Sequence, residues 1–536
     1  MSDGTVDSHR LFAPRRSAVS ALVLIVAGFL VLRLPPVWRQ PGGQDEQWYA
    51  VPGYTVATEG VPRIPYVHAD DPDTIFHRAD EALFALPPLF FYCQALFFLT
   101  LPPGYGTARL VSVCAAVGGI VLVFLLARRW YRDDAAALWS AGLYAASRAL
   151  MFPAVTARPD MLCGVMGLAA ILAIERWRAD GVRRWLVTAG VLLGLGMLTH
   201  PFAIVFCVQT VFLVLFTPGR PQVRLISALV LVGTAVAVFS LWLPLIVANP
   251  AAFEAQFFNN VLNRSGLGLL SRVVMPWHWV ASQLSLLSAH IGPAQLVVMS
   301  AGLFGSTLLD LRARSGLSRG TVLAWTSVYL MGAALGRHPA TGYWCYPAAV
   351  LFVCCGRTAV VLFRTLRQRA RWISIAVGAM MVLVMIPGSG TRLWLAHIRH
   401  WSDDSHNSRI FIRQVIEQLP EGGRFLVDPA WVLDFYLAGR KCTPLEAQEQ
   451  YFRMSDFDYD YIVAGQYGLS HGFADRLDAQ RFASFGDSDN PFACYIEVFQ
   501  RADGSRRTTD RPVGTGASAV DSEVREPGRP MQETRE

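Results

Sequence analysis

The sequence predicts an α-helical polytopic membrane protein of about eleven transmembrane helices, followed by a small α/β domain outside the membrane. Three observations carry this. The 536-residue chain is 53% hydrophobic and 16% charged, whereas a soluble domain carries about 25% charged residues. Its apolar residues gather in runs of roughly 20, the length that spans a bilayer. Basic residues, all Arg except Lys441, fall mostly between those runs, and their alternation from loop to loop is the positive-inside signature. The net charge of +7 is accounted for by topology and solvated loops, so it does not argue for a nucleic-acid partner.

Taken in order, Arg10, Arg15 and Arg16 precede a first apolar run from Ser17 to Pro36. That run is too long for a signal-peptide core and lacks a small-x-small cleavage site. It reads as an uncleaved first helix, with residues 1–16 in the cytoplasm. Further spans are expected at 109–127, 135–152, 161–176, 185–199, 201–217, 224–247, 290–310, 321–336, 341–362 and 372–388. Clusters such as Arg128, Arg129 and Arg132, or Arg364, Arg367, Arg369 and Arg371, then mark the inner loops.

One apolar run must be left out for this to hold. Phe84 to Leu101 contains Pro87-Pro88 and is followed by Pro102-Pro103-Gly104. It reads as a helix lying at the outer interface with Pro88 near its start. The domain 17–400 thus carries a long outer loop, 37–108, with Asp45, Glu46, Glu59, Asp70, Asp71, Asp73, Asp80 and Glu81. A second outer loop, 248–289, has Phe253, Phe257, Phe258, Trp277 and Trp279, which suit the interface.

From about residue 401 the pattern becomes that of a soluble domain extending to 502. Ile412, Val415, Ile416 and Leu419 have helical spacing, while 424–427, 459–463 and 494–499 read as strands. Residues 503–536 have few apolar side chains and read as disordered. No zinc-type cysteine spacing occurs. Seven cysteines lie in apolar stretches, and Cys442 and Cys494 fall in the exported domain, where a disulfide between them is one option.

The chemistry expected of this chain lies at the outer face. Asp45 and Glu46 follow the Pro41-Gly42-Gly43 break. They read either as acids complementing a helix start or as a carboxylate base just outside the membrane. Asp160 opens the fourth span after Arg158-Pro159, as an N-cap neutralised by Arg158 or as a second cavity carboxylate. His200 precedes Pro201 and either caps a helix or holds a phosphate. Arg337, His338 and Tyr343 form the one clearly basic outer helix end, and a guanidinium there could clamp a phosphate in two places. No metal is demanded by these spacings. A divalent ion held by Asp45, Glu46, Asp160 and His200 stays open.

These residues also resemble a family. Asp45-Glu46…Tyr49-Ala50, Pro87-Pro88-Leu89-Phe90-Phe91-Tyr92, Ala108-Arg109-Leu110, Arg158-Pro159-Asp160 and Gly196-Met197-Leu198-Thr199-His200-Pro201, in this order, resemble the GT-C membrane glycosyltransferases. The branch is that of protein O-mannosyltransferases and the lipid A aminoarabinose transferase. The resemblance implies the GT-C fold and inverting transfer of a sugar from a polyprenyl-phosphate carrier to a lipid, glycan or protein hydroxyl. It implies a multi-pass inner-membrane location with the active site outside. It makes Asp45 the catalytic base and Asp160 its acidic partner, and Glu46 is counted with them among the catalytic residues. The phosphate contacts would be His200, Arg337, His338, Tyr343 and Arg158. The aminoarabinose branch has an Arg where this chain has Trp48 and a Lys where it has Leu86. Those contacts are therefore missing here or moved to Arg78, His77 or Arg337. The other readings are a flippase or transporter for a lipid-linked saccharide, and a scaffold built around the C-terminal domain. A transporter would need acids within its spans, and here they gather on one face.

Overall fold

In a computed structural model the described residues are 15–43, 45–262, 269–314, 316–336, 342–448, 450–453 and 458–502. The tail from 503 and most of the first 16 residues lie outside them. All eleven expected spans fall on helix. Five are long and apolar enough to cross a membrane by themselves: Arg16–Arg39, Tyr105–Tyr131, Pro221–Ala248, Pro293–Ala313 and Gly342–Arg369. The expected span 135–152 is divided. Ser147 is extended, and its hydroxyl caps a new helix, Arg148–Ala154, by accepting from the Leu150 N–H at 3.2 Å.

The run 84–101 forms a helix of only 10 residues, Leu89–Phe98, with Pro88 at its N-cap. Its rise of about 15 Å is half a bilayer core. Gln256, on helix Pro250–Phe257, fixes the chain just before it. The Gln256 side-chain oxygen accepts from the Phe84 and Ala85 N–H groups at 2.7 and 3.1 Å, and its amide nitrogen donates to His77 and Ala82.

Helix Gly342–Arg369 runs through the middle of the bundle and is buried from Cys345 to Gly356. It sits so close to helix Asp134–Ala146 that a Cβ on Gly356 would lie 2.1 Å from the Ser140 Oγ. Small residues at such crossings let apolar helices pack backbone to backbone. At the bundle end away from the pocket described below, buried Glu175 faces Arg319 at 2.5 Å, Arg129 at 3.8 Å and Arg178 at 3.9 Å. Nearby, Asp310 pairs with Arg357 at 2.6 Å.

The C-terminal domain holds five strands: β1 Arg424–Val427, β2 Lys441–Pro444, β3 Tyr461–Ala464, β4 Ala479–Gly486 and β5 Tyr495–Arg501. Their order is β2-β1-β3-β5-β4, with β1 parallel to β2 and β3, and β5 antiparallel to β3 and β4. The expected helix appears as Ser408–Gln418. Cys442 on β2 and Cys494 at the start of β5 are free thiols. Two strands lie between theirs, a separation of about 14 Å that no disulfide spans. The domain is tied to the bundle through backbone. Tyr105 Oη donates to the Pro429 carbonyl at 3.1 Å, and the Gly42 N–H donates to that of Ala430 at 3.0 Å.

Candidate active site at one end of the bundle

The chain from Pro41 to Glu46 is shaped by one buried ion pair. Arg109, inside helix Tyr105–Tyr131, donates to both Glu46 carboxylate oxygens at 2.8 and 2.6 Å. Its remaining N–H groups go to the carbonyls of Val37, Gln40 and Pro41. Glu46 also accepts from the Gly43 N–H at 2.7 Å and the Ala157 N–H at 2.6 Å. Its carboxylate is thereby fully engaged, and it joins the 41–46 turn to the 157–160 turn. Glu46, expected beside the catalytic acids, is a structural anchor here and does not line the cavity. Arg109 gains a role that the sequence motif alone did not supply.

That anchor sets Asp45 opposite Arg158. Arg158 donates from Nη1 to Asp45 Oδ2 and from Nε to Asp160 Oδ2 at 2.8 Å. The Arg158 side chain is 6% exposed and Asp160 fully buried, whereas Asp45 is 42% exposed. Burial opposes the Arg158 charge, yet Asp160 and Asp45 outweigh it and raise its pKa. Its guanidinium also lies over the rings of Tyr343, Tyr49 and Phe152 at 5.5 to 5.9 Å. Burial raises the pKa of the Tyr49 phenol. Gly342 is needed for this approach, since a Cβ there would meet Asp160 Oδ2 at 3.2 Å. The helices that follow, Gln47–Glu59 and Asp160–Asp180, have Glu46 and Pro159 at their N-caps, and neither makes a side-chain cap bond. Asp160 Oδ1 is buried without a partner, a cost tolerated for the positions of the other groups.

Asp45 and Arg158 open onto a cavity of about 170 Å³, lined also by Trp48, His200, Arg272, Tyr343 and Tyr451. His200 Nδ1 accepts from the Phe202 N–H at 3.2 Å, so the helix-cap reading holds geometrically. The same ring faces Tyr343 at 5.0 Å and lines the cavity. The structure therefore gathers Asp45, Arg158, His200 and Tyr343 around one space, with Asp160 directly behind. Arg337 and His338 lie outside the described residues.

Arg78 and His77, the other positions expected for a phosphate contact, do not line this cavity. Arg78 pairs with Glu81 at 2.6 Å on the surface. The cation found there instead is Arg272, on helix Leu269–Val274, which donates to the Ala334 carbonyl at 2.7 Å and packs on the Gly336 turn. Burial lowers its pKa. Sequence reasoning missed it, although an Arg in an aromatic loop expected outside carried the same signal that singled out Arg337.

Among the described residues, the group of metal-ligand side chains that comes together is His400, Asp403 and His406, with ligand atoms within 4.8 Å of one another. It lies below the C-terminal domain, not at the cavity. Its His406 is already satisfied, with Nδ1 3.2 Å from Asp403 and Nε2 3.4 Å from the Asn490 amide nitrogen.

Comparison with known proteins finds relatives of the overall fold. The overall fold is that of the GT-C membrane glycosyltransferases. It resembles ArnT from Cupriavidus metallidurans, solved in the apo state and bound to undecaprenyl phosphate. Each of those matches has a TM-score of 0.60 and 18% identity over 90% of this chain and 98% of that one. It also resembles the archaeal oligosaccharyltransferase AglB from Archaeoglobus fulgidus, solved with an inhibitory peptide and a dolichol-phosphate. That match has a TM-score of 0.52 and 13% identity over 92% of this chain and 75% of that one. Residues 85–245 match the family model of dolichyl-phosphate-mannose-protein mannosyltransferase. Curated protein sequences give no match. The chain thus has the GT-C fold, and its segment 85–245, which contains Arg158, Asp160 and His200, matches the mannosyltransferase family model.

Proposed function

We propose that this protein is an inverting glycosyltransferase that moves a sugar from a polyprenyl-phosphate carrier to an acceptor hydroxyl at the extracytoplasmic face of a membrane. The observation that carries it is the placing of an accessible carboxylate, Asp45, with the Arg272 guanidinium and the His200 imidazole around one cavity. The fold match to ArnT, solved with undecaprenyl phosphate, and to AglB, solved with a dolichol-phosphate, supports the donor class.

In this reading Asp45 accepts the acceptor's proton as the hydroxyl oxygen attacks the anomeric carbon. The bond from that carbon to the phosphate oxygen breaks on the opposite face, and its electron pair leaves with the carrier phosphate. Arg272 and His200 meet the charge that develops there. Arg158 is a positioning residue, since both of its carboxylate contacts aim Asp45 and hold the 157–160 turn. Asp160 keeps Arg158 charged and oriented.

The test is Asp45→Asn, purified in detergent and assayed with a radiolabelled lipid-linked sugar. Removal of a general base lowers the rate by about 10²–10⁴-fold. The expected result is a loss of that size in a variant that remains folded. Full activity in this variant sinks the mechanism.

A further inference from the structure

We propose that residues 450–453 of the C-terminal domain, with Tyr451 at their head, form the acceptor side of the cavity and select a neutral saccharide, an inference resting on the glycosyltransferase reading above. Tyr451 lines the same cavity as Asp45. Its ring stacks on Trp48 at 6.0 Å with an 8° interplanar angle and on Phe76 at 5.4 Å. Phe452, 1% exposed, meets the edge of Trp48 at 6.1 Å. The segment is clamped onto the long 37–108 loop twice. The Ile75 N–H donates to the Gln450 carbonyl at 2.8 Å, and Arg453 pairs with Asp71 at 3.0 Å. An extramembrane domain held this closely over the reacting carboxylate is part of the site.

The chemistry of this wall defines what it recognises. Glu446 is buried behind it and outside the cavity lining, with Oε1 accepting from the Gln448 N–H at 2.9 Å and the Tyr467 hydroxyl at 3.2 Å. Among the described cavity residues the guanidinium cations are Arg158 and Arg272. Arg158 is already paired with two carboxylates, and Arg453 is spent on Asp71. With Arg272 taken by the donor phosphate in the reading above, an anionic acceptor would meet the Asp45 carboxylate and aromatic faces among the described residues, a repulsive arrangement. A sugar ring suits the same wall. Its C–H face packs on the aromatic platform, and its hydroxyls donate to carboxylate oxygens.

The experiment uses the full chain in detergent and three neutral trisaccharides, built on mannose, glucose or galactose. A Ser/Thr peptide and phosphatidylglycerol serve as the other acceptors. Binding is read by saturation-transfer NMR, and transfer by label from the lipid-linked sugar. At least one trisaccharide should bind and accept. Tyr451→Ala should raise its KM about 10-fold through the lost ring contact, while donor KM and donor hydrolysis by water stay unchanged. Tyr451→Phe should retain binding, which separates stacking from misfolding. Preference for the peptide or the anionic lipid overturns the inference. So does the absence of trisaccharide binding, or a Tyr451→Ala effect on donor KM. Failure of all donor turnover, with trisaccharide binding present and lost in Tyr451→Ala, would instead sink the glycosyltransferase reading and leave a saccharide-binding site standing.

Discussion

Helix Asp160–Asp180 carries a buried carboxylate near each end, and the surroundings of the two differ in the sign of the charge left over. At the cavity end, Asp160 and Asp45 share Arg158, so one negative charge is in excess. At the other end, Glu175 faces Arg129, Arg178 and Arg319, so two positive charges are in excess. The two acids lie about 22 Å apart along the helix, so each cluster sits near one edge of a bilayer-sized slab. Access differs as well. At the cavity end it is a carboxylate that is exposed, Asp45 at 42%, while at the far end it is a cation, Arg319 at 47%. An exposed surplus carboxylate can take a proton from a substrate. Surplus exposed guanidiniums beside a sealed carboxylate bind the helix ends together and orient the bundle.

The strongest way to break this comparison is Arg158→Leu. It leaves Asp160 buried beside no cation, and removing one partner of a buried pair costs about 3–5 kcal/mol. Both the thermal midpoint and transfer should collapse, while Arg158→Lys should recover folding better than transfer because it lacks the planar fork. If Arg158→Leu keeps its stability, the cavity cluster is not what holds that end together.

Glu175→Gln probes the other end. It removes the carboxylate charge that three guanidiniums share, with an expected cost of about 1–3 kcal/mol. The turnover number of the remaining folded protein should be unchanged. A fall in turnover comparable with that of Asp45→Asn would show that the two ends are not functionally distinct.

The smallest effect is a pH dependence at Glu446. Burial first, with Asp45 contributing, raises its pKa from 4.5 to about 7. Between those values the native protein keeps a proton that the unfolded chain has lost, so stability falls as pH rises through this window. Scanning the thermal midpoint from pH 4.5 to 7.5 should show that fall, and Glu446→Gln should flatten it. Asp45→Asn should move it to lower pH. An unmoved profile in Asp45→Asn would mean that the surplus charge does not reach the C-terminal domain.

The bundle was legible because its signals are local. Apolar length, flanking Arg and the Pro pairs around 84–101 each act within about 20 residues. What needed the fold was everything set by distant partners. Ser147 breaks the third span because its side chain caps a new helix. Strand β2 is four residues long and ends in Pro444, and β4 is largely exposed, so neither shows a clear alternation. At the site, Asp45, Arg158, Asp160, His200 and Tyr343 could be named from outer helix ends. Glu46 was placed beside Asp45 because the two are adjacent in the chain. Adjacent residues at a turn point different ways, and Glu46 turns inward to Arg109, 63 residues on. Tyr451 comes from a domain whose chain starts more than 350 residues after Asp45, and nothing local marks it.

The backbone bond from Gly42 to Ala430 and the Tyr105 hydroxyl on Pro429 have a consequence for inheritance. The soluble domain is not a detachable module, because two of its fasteners are carbonyls and their donors sit in the membrane domain. Gene fusions that exchange residues 401–502 between homologues should work only when positions 41–43 and 105 travel with them. Recombination is therefore expected to have kept these distant stretches together.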